Sequence, residues 1–249
     1  MKWDLRVFDS LDSTNEEIRR QAEAGAAEGL AVLARQQTAG RGRRGRGWTS
    51  VPGNMFLSLL LRPQLKGQRA SPAQAATLSF LTAVAVLEAI DLAGPAAGTQ
   101  LTCKWPNDVL VDGAKVAGIL LESRTTPDGA LGWVTVGIGV NLVSHPADTL
   151  YPVTALNRHG IEAMPEDFAG WLLARYGYWY DRWQAEGFAP VRAAWLRRAQ
   201  GVGQPVIVRL PDHELRGTFI ALDDGGALIL ELPDGRRHTV TAGDVFPAG

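Results

Sequence analysis

The residues most able to do chemistry form the run Gly40-Arg41-Gly42-Arg43-Arg44-Gly45-Arg46-Gly47-Trp48. Its alternating glycines let backbone N–H groups approach a ligand and permit positive φ. Its guanidinium groups can fork onto carboxylate or phosphate oxygens. Trp48 can stack on a flat ring or simply anchor the loop. Neither common phosphate-loop pattern is present: there is no Gly-Lys-Ser/Thr, and Gly40, Gly42 and Gly45 open no helix. On composition alone three readings stand: a lid ordered by an anionic small molecule, an RGG-like nucleic-acid contact, and a solvated loop. Flanking strands favour a loop within a folded domain.

A second cluster is Lys104-Trp105-Pro106-Asn107-Asp108. Proline pushes Trp105 into an extended form, which aims Asn107 and Asp108 out of the sheet. Asn107 is a neutral donor and acceptor. Asp108 could hold Mg²⁺, accept a proton or cap a turn. Lys115 stands at the mouth of an apolar strand, where low dielectric strengthens its grip on developing negative charge. The plainer reading is a hairpin lysine beside Asp112. Gly137-Ile138-Gly139-Val140-Asn141 places two glycines in a strand, as expected where a ligand lies against backbone.

These residues need a scaffold, and the composition supplies one. The chain has 249 residues, 46% apolar and 20% charged, enough for one large domain or one plus a small one. Net charge is −1, so there is no bulk attraction to nucleic acid or membrane. Yet no acidic residue falls between Glu28 and Glu88, an interval carrying Arg35, Arg41, Arg43, Arg44, Arg46, Arg62, Lys66 and Arg69. A cationic stretch inside a neutral protein points to one anionic ligand. The single cysteine, Cys103, excludes an intrachain disulfide and reads as a small buried hydrophobe. The first residues lack a signal-peptide apolar region. The longest apolar run, 80–92, is interrupted by Thr82, Glu88 and Asp91 and reads as too short to span a bilayer. A cytoplasmic protein is expected.

Periodicity predicts helices over 12–24, 71–92 and 165–187, with a further helix running to about 199. Ser13 and Glu16 match a capping box, and Pro72 suits a first turn. Strands are predicted at 30–36, 55–61, 101–105, 109–111, 116–122 and 133–141, with hairpin turns at Gly113 and at 127–129. The stripe Trp171, Leu172, Arg175, Tyr176, Trp179 and Trp183 reads as a packed helix face. The character changes at Gly201-Val202-Gly203. Beyond it come short strands at 206–210, 215–222, 227–232 and 237–241. We expect a catalytic domain over 1–200 and a small SH3-like β-barrel over 203–249.

Taken together, Ser13-Thr14-Asn15, Gln37 with 40–45, 104–108, 115–120 and 137–141 resemble, in order and spacing, the biotin protein ligases. The combination of the arginine loop, Lys-Trp-Pro-Asn-Asp and Lys-x-x-Gly-Ile-Leu is specific, and the match covers most of 8–142. The resemblance implies an α+β fold: a mixed sheet flanked by helices, related to class II synthetases and lipoate ligases, plus the small barrel. It implies ATP-dependent conversion of biotin to biotinyl-5′-AMP, releasing pyrophosphate, then transfer to a lysine with release of AMP. The acceptor would be the biotin carboxyl carrier domain of acetyl-CoA carboxylase or a related carboxylase.

By the same resemblance Ser13, Thr14, Asn15, Gln37, Arg41, Gly42, Arg43, Lys115 and Gly118 would bind biotin. Arg43, Arg46, Trp48, Asn107, Lys115 and Asn141 would bind ATP or the adenylate. Lys115, Arg43 and Asp108 would be catalytic, with Asp108 also the metal candidate for Mg²⁺. Lipoate ligases share the chemistry but are not expected to combine this loop with 104–108. Few residues precede Leu11, so no helix-turn-helix domain, DNA binding or repressor activity is expected. The expected protein touches neither nucleic acid nor membrane and is a monomer or homodimer.

Overall fold

The computed structural model describes residues 1–147, 149 and 151–248, without the side chain of Arg44; that member of the arginine loop lies outside the described residues. Seven strands form one mixed sheet: β1 (Asp4–Phe8), β2 (Leu30–Ala34), β3 (Met55–Leu61), β6 (Leu101–Lys104), β7 (Asp108–Val111), β8 (Ala114–Thr125) and β9 (Leu131–Val140). Their order is β1-β2-β3-β9-β8-β7-β6. Only β1 and β2 run parallel among these neighbours. A two-stranded hairpin, β4 (Gln64–Leu65) with β5 (Gln68–Arg69), stands apart.

Period-two alternation sorts this sheet into two faces. Every residue of β3 is buried, as its continuous apolar run predicts. Met55, Leu57, Leu59 and Leu61 join the large core under α3 (Leu78–Leu92) and α4 (Pro165–Glu186). Leu60 turns the other way, into a smaller core with Ile18, Ala22, Leu30, Val32 and Trp133 under α1 (Thr14–Glu23). Burying a leucine or isoleucine contributes roughly 1.5–3 kcal/mol, so both cores hold the sheet firmly. Because α1 has only ten residues, it covers part of its face. The uncovered remainder becomes the site.

Two local expectations need correction. Ser13 is the N-cap of α1, but its side chain makes no capping hydrogen bond. The would-be partner Glu16 is instead drawn to Arg19 at 2.7 Å and Arg41 at 2.6 Å. The reciprocal capping box forms at Ser71 and Gln74, ahead of α2 (Pro72–Ala76). The helix expected over 71–92 is divided into α2 and α3 at Thr77. The Thr77 hydroxyl donates to Gln74 O at 2.6 Å and accepts Trp183 Nε1–H at 2.9 Å. Counted together, Pro72–Leu92 makes a 21-residue helix long and apolar enough to cross a membrane, a longer segment than the 80–92 run read as too short. Its most apolar window is 72% buried inside the protein, which is the setting of a core helix.

The aromatic stripe of α4 is a packed face: Tyr176, Trp179 and Trp183 are buried, and Tyr180 stacks on Trp183 at 5.9 Å. After α5 (Phe188–Leu196), five antiparallel strands form a second sheet in the order β13-β12-β11-β10-β14. They are β10 (Pro205–Arg209), β11 (Glu214–Leu222), β12 (Leu228–Glu231), β13 (Arg237–Val240) and β14 (Asp244–Pro247). This agrees with a small SH3-like unit, with one strand more than the four read from the sequence. The missed strand, β14, is short and ends in proline, so its alternation is faint. The second sheet is seated on the first layer: Trp105 Nε1–H donates to Gly226 O at 3.0 Å, and Gly226, at φ +87°, lies against the Phe80 ring.

Candidate active site

The open sheet face carries a stripe of glycines. Gly118 and Gly139 are cross-strand partners on β8 and β9, and Gly137 lies two residues along from Gly139 on the same face. The Trp48 indole lies on this floor. A Cβ at Gly118 would stand 2.7 Å from Trp48 Cζ3, and one at Gly139 would stand 2.5 Å from Cε2. Any side chain there would expel the ring. A Cβ at Gly137 would overlap the Asn15 amide. The glycines expected from a close-lying ligand thus accommodate Trp48 and Asn15. Trp48 Nε1 is buried without a hydrogen-bond partner among the described residues.

The arginine loop folds back over this floor. Gly42 N–H donates to Arg46 O at 2.7 Å and Trp48 N–H to Gly40 O at 2.9 Å, around a 3-10 turn at Arg43–Gly45. Loop and sheet enclose a cavity of about 400 Å³, a size typical of small-molecule sites. Every residue expected at the site lines it: Ser13, Thr14, Asn15, Gln37, Arg41, Gly42, Arg43, Arg46, Trp48, Asn107, Asp108, Lys115, Gly118 and Asn141. In particular, Arg43 and Lys115 share one space.

One end of the cavity is lined mostly by uncharged polar groups, with Arg41 paired to carboxylates at its edge. Thr14 N–H donates to Gln37 Oε1 at 2.8 Å, and Gln37 Nε2–H donates to Ser50 Oγ at 3.1 Å. Ser58, fully buried in β3, lies 2.7 Å from Thr14 Oγ1 and 2.6 Å from Asn15 Oδ1. The amide oxygen has no proton of its own, so the single Ser58 proton goes there. Asn15 Nδ2–H donates to Glu122 Oε2 at 2.6 Å, and Arg41 meets the same oxygen at 3.0 Å. Ser58 and Glu122 escaped the sequence reading. A serine inside an otherwise apolar strand was the available signal for Ser58.

The other end is cationic. Arg43 Nη1–H donates to Asn107 Oδ1 at 2.9 Å, and Asn107 Nδ2–H donates to Ile119 O at 2.7 Å, so Asn107 links loop to sheet. Lys115 Nζ stands 2.6 Å from Asp108 Oδ1 and 5.7 Å from the Trp48 ring centre. Lys104 stands 3.9 Å from Asp108 and lies over the Tyr151 and Phe246 rings, at 5.0 and 5.2 Å. Burial pushes the Lys104 ammonium below the ordinary lysine range, and Asp108 opposes that shift. Asn141, expected at the adenylate, uses its amide to hold Thr154 O at 3.1 Å. No group of three or more His, Cys, Asp or Glu able to hold a metal exists among the described residues.

Further wall residues come from far along the chain. Tyr151 and Val153 lie in a strap after β9, and Asp244 comes from β14. Tyr151 stacks on Phe246 at 5.5 Å, and Asp244 stands 3.7 Å from Arg46. The second sheet therefore reaches the loop that covers the cavity. Isolated aromatic and acidic residues beyond position 142 carried no motif, which is why they went unread.

With this geometry in view, the chain compares closely with known proteins. Residues 7–141 match the Biotin/lipoate A/B protein ligase family, and residues 201–246 match the Biotin protein ligase C terminal domain. The biotin–[acetyl-CoA-carboxylase] ligase of Paracoccus denitrificans is 44% identical over 245 residues, covering 96% of this chain and 98% of that protein. The bifunctional ligase/repressor of Bacillus subtilis is 35% identical, covering 96% of this chain and 72% of that one. Among solved structures, the biotin protein ligase of Aquifex aeolicus in complex with biotin and ATP superposes with a TM-score of 0.79 at 25% identity, covering 98% and 97% of the two chains.

Proposed function

Because the chain belongs to the biotin/lipoate A/B protein ligase family, we propose that it is a biotin protein ligase, joining biotin to ATP as biotinyl-5′-AMP and passing the acyl group to a carrier lysine. The supporting observation is the shared cavity: a polar pocket of mostly uncharged side chains at one end, Arg43 and Lys115 at the other, and a glycine floor between. The first step brings a carboxylate against an α-phosphate. Two like unit charges about 4 Å apart repel by roughly 4 kcal/mol at an effective dielectric of about 20. Arg43 and Lys115 offset that repulsion and stabilise charge that grows in the transition state. A carboxylate oxygen attacks the α-phosphorus, the bond to the β-phosphate breaks, and pyrophosphate leaves.

At the mostly uncharged end, Thr14, Asn15, Gln37 and Ser58 form a hydrogen-bonding set suited to the ureido ring. Ser13, Arg41, Gly42 and Gly118 complete the biotin wall. Arg46, Trp48 and Asn107 face the nucleotide, and Asn141 frames it. The loop excludes water from an acyl-adenylate that hydrolyses readily. In the second step the carrier amine attacks the acyl carbon, AMP leaves, and Asp108 accepts the amine proton. Asp108 alone makes no self-standing metal site, but a Mg²⁺ carried by a triphosphate needs only one or two carboxylates. Asp108 and Asp244 are the cavity carboxylates that would hold it, and the ion would supply further charge neutralisation.

We take residues 1–200 as the catalytic unit and 203–249 as the small barrel. The carrier is the biotin carboxyl carrier domain of a carboxylase such as acetyl-CoA carboxylase, and an ATP-consuming reaction of this kind belongs in the cytoplasm. The test is ATP–pyrophosphate exchange with purified protein. Exchange should require biotin and should not be supported by lipoate. Exchange with lipoate alone, or with neither acid, would reject the reading.

A further inference from the structure

Lys115 is held in a way that its own side-chain contacts do not explain. It enters β8 from a tight turn at Asp112 and Gly113, both at positive φ (+49° and +77°), the dihedral pattern of a type I′ hairpin. At Lys115 the backbone also pairs with the strap. Lys115 N–H donates to Pro152 O at 2.8 Å, and Thr154 N–H donates to Lys115 O at 2.9 Å. Lys115 and Val153 form an isolated parallel bridge. The strap thus fixes the Cα from which the reactive ammonium extends.

The strap needs its own anchor, and His159 supplies it. His159 Nδ1 lies 3.0 Å from Asp112 Oδ2, and Nε2 lies 2.9 Å from Thr154 Oγ1. An imidazole protonated at Nδ1 satisfies both: it donates to the carboxylate and accepts the threonine hydroxyl proton. Its side chain is only 15% exposed. The contacts close a ring: Asp112, His159, Thr154, the Lys115 backbone, and back through Ala114 and Gly113 to Asp112. The turn before Lys115 and the strap beside it are locked to each other through one imidazole. None of these three side chains lines the cavity.

Resting on the biotin-ligase reading, we infer that His159, with Asp112 and Thr154, is a positioning group for Lys115 in adenylate formation. It touches no reacting atom; it sets where the Lys115 backbone sits. Displacing a charged group by about 1 Å can cost on the order of 100-fold in rate, and loss of one anchor of several should cost less. The test uses the full chain and compares H159A, T154V and T154S in biotin-dependent pyrophosphate exchange. H159A and T154V should each lower kcat about tenfold, with KM for biotin and ATP within about twofold of native. T154S keeps the hydroxyl and should recover to within about threefold of native. T154V carries the test if H159A does not fold. A kcat within twofold of native for both, a loss seen only in KM, or a T154S defect equal to that of T154V would overturn the inference. Should the native protein show no biotin-dependent exchange, the functional reading itself fails, which is a separate result.

Discussion

Replacing Lys115 by methionine removes one charge while keeping most of the side-chain volume. In the native site Nζ is fixed between Asp108 Oδ1 at 2.6 Å and the face of Trp48 at 5.7 Å. From there it can face both the biotin carboxylate and the α-phosphate. A unit charge about 4 Å from an anion contributes roughly 4 kcal/mol at an effective dielectric of about 20. Lys104, 3.9 Å from Asp108, remains and offsets part of this, so the transition state should lose about 3–4 kcal/mol, between about 10² and 10³ in rate. Folding should suffer little. Asp108 keeps Lys104 at 3.9 Å, and the pair is partly solvated, so the stability loss should stay below about 1 kcal/mol. The assay is single-turnover adenylate formation, with biotin affinity by calorimetry and a thermal melt on the same sample. A folded Lys115→Met protein that forms adenylate within about fivefold of the native rate would refute the assignment.

Other outcomes follow from other contacts. Arg43→Gly breaks the 2.9 Å link to Asn107, so activated biotin should escape and label bystander lysines, measured as biotin on added albumin; unchanged labelling counts against the loop as a lid. Ser58→Ala leaves Thr14 and Asn15 without their buried partner, and biotin affinity should fall about tenfold, near the 1–2 kcal/mol expected for a lost hydrogen bond, with the kcat for adenylation little changed. Cys103 is fully buried and burial pushes its thiol well above the ordinary range, so a thiol reagent should label the native protein only at the rate of unfolding; rapid labelling would show the β6 edge to be open.

Much of the site was legible in the sequence because its chemistry is local. Gly40 to Trp48, Lys104 to Asp108 and Lys115 to Gly118 are short runs whose residue types state what they can bind. The elements carrying them followed from periodicity: the continuous run of β3, the alternation of β8 and β9, and the 3.6 period of α4. Misreadings arose where a distant partner overrode a local preference. Glu16 satisfied the capping-box pattern, yet Arg19 and Arg41 took its carboxylate. Thr77 sits within a strong helical pattern, yet the Trp183 indole finds its hydroxyl there.

The sequence by itself determined the chemical inventory, most of the elements in their order, though neither β1 nor β14, and the family resemblance, because these are properties of residue type and spacing along one chain. Only the tertiary structure decided which groups share a space. Sheet pairing sets Gly118 opposite Gly139 beneath Trp48, packing carries Tyr151 and Asp244 to the same cavity, and Ser58 and Glu122 hold Thr14 and Asn15 from behind its wall. It also closed the ring from Asp112 through His159 and Thr154 to Lys115. The reason is physical: hydrogen bonds and ion pairs act over a few ångströms of space, and residues tens of positions apart become neighbours only when burial of the two cores folds the chain between them.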